Sequence, residues 1–185
     1  MSATPSTMLP LGTKAPSFIL PDTVTGKDIA LEELKSDKAT VIMFICNHCP
    51  YVKHILPVLV DLTKEYASKG ISFIAISSND VENYPEDSPE KMKELAKQFN
   101  FSFPYLYDQS QEAARNYQAA CTPDFYIFDK DVQLIYRGQF DGSRPGNNIQ
   151  VTGHDIKLAL DQHLAGKEVF KEQIPSIGCN IKWKK

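Results

Sequence analysis

Two cysteines two residues apart, in Cys46-Asn47-His48-Cys49, are the side chains of this chain best suited to chemistry. Thiols at this spacing can come within disulfide distance and exchange electrons with a substrate disulfide through a mixed disulfide. The reacting species is the thiolate, and a cysteine pKa falls from about 8.5 to roughly 3.5–7.5 at a helix N-terminus or beside a cation. The pattern makes Cys46 the attacking thiolate and Cys49 the resolving thiol. His48, protonated or donating a hydrogen bond near the Cys46 sulfur, would tune the pair by favouring the thiolate and making the disulfide a stronger oxidant. The expected potential is therefore above that of thioredoxin, at about −230 to −180 mV.

Two other chemistries use the same residues. A thiol peroxidase would oxidise Cys46 to a sulfenic acid that Cys49 resolves. A metal-binding or metal-delivery protein would hold copper(I) or zinc with Cys46, Cys49 and a histidine, His48 or His54, because soft thiolates select these ions. Zinc sites usually add a second ligand pair at short spacing, whereas Cys121 and Cys179 stand alone. No metal or other cofactor is therefore expected. Cys121 is a candidate third redox thiol, although a free cysteine is most often a small buried hydrophobe. Cys179 lies in Ile174-Pro175-Ser176-Ile177-Gly178-Cys179. It could fold back as a relay to Cys49 or Cys121, pair between subunits, or pack inertly beneath Trp183; inert packing is the simplest reading.

The elements around the pair follow from pattern. Ala39 to Ile45 is a short, β-branched, near-continuous apolar run, as expected of a strand buried on both faces. After Cys49, Val52, Ile55, Leu56, Leu59, Leu62 and Tyr66 recur at helical spacing. Pro50 suits the first helical position and Gly70 the C-terminal cap. Ile71 to Ser77 reads as a second buried strand, so the cysteines lie in a right-handed βαβ unit with parallel strands. Upstream, Ser17–Leu20 and Asp28–Leu31 form an expected hairpin. Downstream, helices are expected over 89–99, 111–117 and 153–164, and strands over 104–107, 125–128 and 134–139. Residues 1–16 read as a loosely held arm and 166–185 as a tail. The whole is one domain, 1–185, with its core at about 8–165.

At 185 residues the chain can bury a self-sufficient core. Its 42% hydrophobic and 23% charged residues are those of a globular protein. A formal charge of −3 provides no positive field for nucleic acid or an anionic membrane surface. No apolar run nears the roughly 20 residues that span a bilayer, and Met1 to Thr13 lacks the basic and apolar regions of a signal peptide. A cytoplasmic protein is expected, and four cysteines in that reducing compartment suit catalysis better than stapling.

Phe44-Ile45-Cys46-Asn47-His48-Cys49-Pro50, Cys121-Thr122-Pro123 and Pro16-Ser17-Phe18 together resemble the redoxin-type proteins of the thioredoxin superfamily, a group shared by peroxiredoxins and membrane-tethered thiol reductases. The likeness is greatest to a bacterial "thioredoxin family protein" group with C-N-H-C-P-Y-V and a C-terminal Gly-Cys-x-Ile-Lys-Trp, here Gly178 to Trp183. It implies an α/β thioredoxin-like fold: a central mixed sheet flanked by helices, with an N-terminal hairpin and a helical insertion at 79–103. It also implies a cis Pro123 facing the cysteines, with Thr122 offering its backbone to a substrate strand. The partners implied are a disulfide-containing protein or small-thiol substrate and a thioredoxin or glutathione reducing system.

Some features depart from the resemblance. No acid sits on the strand before the cysteines, so Glu86, Glu90, Glu94 and water are the candidate proton acceptors for Cys49. Met43 and Cys46 occupy the places where peroxiredoxins need a threonine, which weakens the peroxidase reading. Arg137-Gly138 resembles a position near the active-site face, although a surface arginine is the simpler expectation. The polar loop Asp141–Asn148 is a candidate border of the substrate groove.

Overall fold

The computed structural model describes residues 3–185. In chain order the elements are β1 (Ala3–Pro5), β2 (Ile19–Pro21), β3 (Asp28–Ala30), α1 (Leu31–Leu34), β4 (Ala39–Phe44), α2 (Pro50–Ala67) and β5 (Ile71–Ser77). A 3-10 turn at Pro85–Asp87 and α3 (Pro89–Gln98) follow, then β6 (Tyr105–Tyr107), α4 (Glu112–Asn116), β7 (Cys121–Thr122) and β8 (Asp124–Asp129). The chain ends with β9 (Leu134–Gly138), α5 (His154–Leu164) and β10 (Ile177–Asn180).

The central sheet has the order β6-β5-β4-β8-β9. β4, β5 and β6 run parallel, whereas β8 pairs antiparallel with β4 and with β9. Successive residues of a strand face opposite sides, so a strand covered on both sides needs apolar residues throughout. In β4, Val41 and Met43 pack with Leu56 and Leu59 of α2 and Ile156 and Leu160 of α5. Ile42 and Phe44 pack on the other side with Tyr117, Tyr126 and Leu31. The continuous apolar run is thus one strand serving two cores, and the loop leaving its carboxyl end, Cys46 to Cys49, inherits its fixed position.

The two ends of the chain depart from expectation. Residues 3–16 are no loose arm and the last residues no free tail. β10 is the middle strand of a second sheet, antiparallel to β1 on one side and to β7 on the other. The register sets Cys179 opposite Thr122 and Ala3 opposite Cys179. Beyond β10, the Lys182 backbone N–H donates to Asn79 Oδ1 at 2.8 Å, and Asp80 N–H donates to the Lys182 carbonyl at 2.8 Å. These pairings link residues far apart in sequence, which local propensity does not encode.

Arg137 is another correction. It is wholly buried, with Nη2 3.1 Å from Asp124 Oδ2 and 2.8 Å from the Gln118 carbonyl. Burial raises the Asp124 pKa against the pull of this guanidinium. A charge buried this deeply persists only because a partner of opposite sign is buried beside it.

Gly178 is the tightest point of the tail: a Cβ there would overlap the Thr122 carbonyl. Gly178→Ala should therefore push β10 off β7, at the cost of about 2 kcal/mol or more expected for overpacking. The urea midpoint should fall in this variant and hold in Gly142→Ala, where an added methyl meets only one side chain at ordinary contact distance.

Candidate functional site

β4 pairs with β5 through Phe44, and Ile45 N–H still donates to the Ile76 carbonyl at 3.0 Å. The chain then turns, and α2 begins at Pro50 with Cys49 as its N-cap. The turn is clamped by the insertion. Asp87, fully buried, accepts the Asn47 N–H at 2.8 Å and the His48 N–H at 3.1 Å on one oxygen. Its other oxygen accepts Asn79 Nδ2 at 2.8 Å and lies 2.6 Å from His48 Nδ1. Asn47 is held in turn by the Glu86 carbonyl at 3.0 Å and the Tyr105 hydroxyl at 3.0 Å. His48 stacks on Tyr84 with ring centroids 5.5 Å apart. A buried carboxylate needs such a set of donors, and here the donors are the cysteine loop itself.

None of the four cysteines is in a disulfide, and all are buried. Cys46 Sγ lies 3.4 Å from Thr122 Oγ1 and 4.0 Å from His48 Nδ1. Cys49 Sγ lies 2.9 Å from Cys179 Sγ and 3.2 Å from the Thr122 carbonyl oxygen. Thr122 thus touches both sulfurs of the pair, and Cys49 has a third sulfur, that of Cys179, at its side.

The pKa shifts of the pair run opposite to the expected assignment. That of Cys49 is lowered by the neighbouring Cys46 thiol and by Cys179 against its burial. That of Cys46 is raised by its Cys49 neighbour, by burial and by the nearby Asp87 charge. These directions favour the anion on Cys49, the N-cap of α2, over Cys46.

The Thr122–Pro123 peptide bond is cis. Pro123 forms part of a shallow groove with Tyr51, Ile55 and Ile177, and Ser143 and Arg144 of the polar loop border it. Cys121 faces elsewhere: its thiol is 3.7 Å from the Pro123 carbonyl and 3.9 Å from that of Ser176, and burial drives its pKa far up. Its surroundings are those of a packed hydrophobe.

Asp87 was not among the acids read from sequence as proton acceptors. Glu86, its neighbour, contributes only its carbonyl to the loop, and Glu90 and Glu94 lie on α3 outside the cysteine contacts. Cys46, His48 and Asp87 do bring three potential metal-ligating atoms within 4.8 Å of one another. Their spacing is that of a hydrogen-bonded relay: His48 Nδ1 and Asp87 Oδ2 are 2.6 Å apart. Two ligands of one tetrahedral zinc, each about 2.0–2.1 Å from it, stand about 3.3 Å apart.

Residues 11–137 match the sequence profile of the AhpC/TSA family. The chain belongs to the AhpC/TSA family. This is a thiol redox enzyme family of the thioredoxin superfamily, as the sequence resemblance implied. The chain is similar to the thiol-disulfide oxidoreductase ResA of Bacillus thuringiensis subsp. konkukian, 26% identical over 154 residues, or 83% of this chain and 76% of that one. A conserved, uncharacterized protein of Geobacillus kaustophilus is 59% identical and superposes with a TM-score of 0.98, covering 100% of this chain and 97% of that one. Peroxidoxin BcpB of Mycobacterium tuberculosis shares the fold at 21% identity, with a TM-score of 0.62 over 84% of this chain and 96% of that one. The fold is thioredoxin-like, with a central mixed sheet and, among the described residues, five helices.

The charge distribution is measurable from the ultraviolet absorbance of thiolates. One thiolate per chain should form with a midpoint of about 5, remain in Cys121→Ser, and vanish in Cys49→Ser. Cys179→Ala, which removes a neighbour that lowers the Cys49 pKa, should raise that midpoint. A low midpoint that survives Cys49→Ser would contradict the assignment.

Proposed function

We propose that this chain is a thiol–disulfide oxidoreductase whose working pair is Cys46 and Cys49, with Cys46 attacking and Cys49 resolving. The observation that carries this reading is Thr122, which touches both sulfurs: its hydroxyl lies 3.4 Å from Cys46 Sγ and its carbonyl oxygen 3.2 Å from Cys49 Sγ. Passing the Cys46 proton to Cys49 moves the negative charge onto Cys46, where the Thr122 hydroxyl can donate to it. Cys49 then serves as the base that no acid on the preceding strand supplies.

The Cys46 thiolate attacks one sulfur of the substrate disulfide, and the other substrate sulfur leaves as a thiolate and takes up a proton. Cys49, losing the proton it had received, attacks Cys46 Sγ in the mixed disulfide and expels the second substrate thiol. The substrate is thereby reduced by two electrons and the pair oxidised by two. Position supports the order of attack. Cys49 packs against Cys179, whereas Cys46 lies beside His48, whose side chain is 18% exposed.

The substrate in this reading is a protein disulfide or a small disulfide. The groove at Pro123 would receive its chain, Thr122 would align it, and a thioredoxin or glutathione system would return the pair to the dithiol. Among the described residues no helix is long and apolar enough to cross a membrane, and we place the activity in the cytoplasm.

One observation favours thiol peroxidase activity as a second reading: both sulfurs are fully buried, so a peroxide reaches them with less rearrangement than a protein does. Cys46 would form a sulfenic acid, and condensation with Cys49 would release water.

Insulin-disulfide reduction separates these readings. Cys46→Ser and Cys49→Ser should both fall to the rate of dithiothreitol alone, and Cys49→Ser should accumulate a mixed disulfide on residue 46. Full activity in Cys46→Ser would rule out the reading, and peroxide consumption outpacing insulin reduction would favour the second. The anion stabilised on Cys49 also favours the dithiol form, so equilibration with glutathione should give a potential of about −230 to −180 mV. A value at or below about −270 mV, that of thioredoxin, would contradict this.

A further inference from the structure

β10 carries Cys179 to the redox pair by backbone pairing. It lies between β1 and β7 in a register that sets Cys179 opposite Thr122, the residue that touches both Cys46 and Cys49. Only a residue without a side chain fits at 178 against the Thr122 carbonyl, which holds the strand close. On the far side, Asn79 accepts the Lys182 N–H with its oxygen and donates to Asp87 with its nitrogen. The strand is thus tied into the same hydrogen-bond set that clamps the cysteine loop. The result is a sulfur–sulfur approach of 2.9 Å between Cys49 and a thiol 130 residues away, only 2% exposed. A cysteine filling space needs none of these arrangements.

We propose that Cys179 is a third redox thiol, and that Cys49 exchanges its disulfide between Cys46 and Cys179. This inference rests on the Cys46–Cys49 cycle described above. Once that disulfide has formed, Cys179 loses its proton and its sulfur attacks Cys49 Sγ. A Cys49–Cys179 bond forms, the Cys46–Cys49 bond breaks, and Cys46 leaves as a thiolate that takes up the proton. One disulfide and one thiol are present before and after, so the exchange needs no further oxidant. It delivers Cys46 in reduced form while the chain keeps its two-electron oxidation, and it fastens β10 covalently to the start of α2.

Disulfide mapping of the full chain after oxidation with diamide, quenched in acid and digested with trypsin without reductant, tests this directly. Cleavage at Lys38 and Lys53 leaves Cys46 and Cys49 on one peptide, and cleavage at Lys171 and Lys182 leaves Cys179 on another. A Cys46–Cys49 bond therefore closes a loop within one peptide, whereas a Cys49–Cys179 bond joins two. The expected result is the joined pair as the main product in both Cys46→Ser and Cys46→Ala, its presence beside the loop in the wild type, and the loop alone in Cys179→Ser. Free Cys179 in both Cys46 variants and in the oxidised wild type, with the loop still formed in Cys179→Ser, would overturn the relay and leave the redox pair standing. Failure of the loop to form in Cys179→Ser, with Cys46 and Cys49 recovered as thiols, would overturn the pair and the relay with it.

Discussion

The backbone at Thr122 is asked to satisfy three neighbours at once. Its hydroxyl meets Cys46, its carbonyl oxygen meets Cys49 at 3.2 Å, and the same carbonyl leaves no room for a Cβ at residue 178. One peptide unit, next to the cis bond to Pro123, therefore sets where the redox pair and the C-terminal strand sit relative to one another. Moving Thr122 would disturb all three sulfurs together.

Around that point the site is a question of who donates to whom. Burial opposes any charge, so an anion is retained only where donors converge on it. Asp87 gathers two backbone N–H groups, an Asn79 amide and His48. The Cys46 and Cys179 thiols beside Cys49 lower its pKa. The two centres are coupled: Asp87 fixes the turn that aims Cys46 at Cys49, and its charge helps keep the proton on Cys46. The 3-10 turn and Ser88-capped α3 of the insertion thus complete the site, because without them the loop between the cysteines would lose its acceptor.

Much of this was legible in the sequence where the signal was local. The apolar run at Ala39–Ile45, Pro50 at the first helical turn and Gly70 after it led to β4, α2 and β5. Thr122-Pro123 ahead of Phe125–Phe128 pointed to the strand edge facing the cysteines. What escaped was long-range. Asp87 sits in a polar stretch that reads as solvated, and only the fold turns it inward against residues 47 and 48. Arg137 read as a surface residue because nothing adjacent reveals that Asp124 is buried beside it. The tail read as loose because the partners of β10 lie at residues 3–5 and 121–122. The low pKa expected of Cys46 rested on a helix opening at that residue, whereas Pro50 begins α2 with Cys49 as its N-cap.

The central claim is that in the reduced pair the negative charge favours Cys49 over Cys46. Carbon-13 labelling of the cysteine Cβ atoms, with the resonances followed by NMR against pH in the wild-type dithiol form, reads each sulfur separately. The account predicts that the Cys49 Cβ shifts with a midpoint of about 5, while Cys46 and Cys179 keep thiol shifts through neutral pH. A Cys46 resonance that titrates first, with Cys49 unmoved, would contradict it.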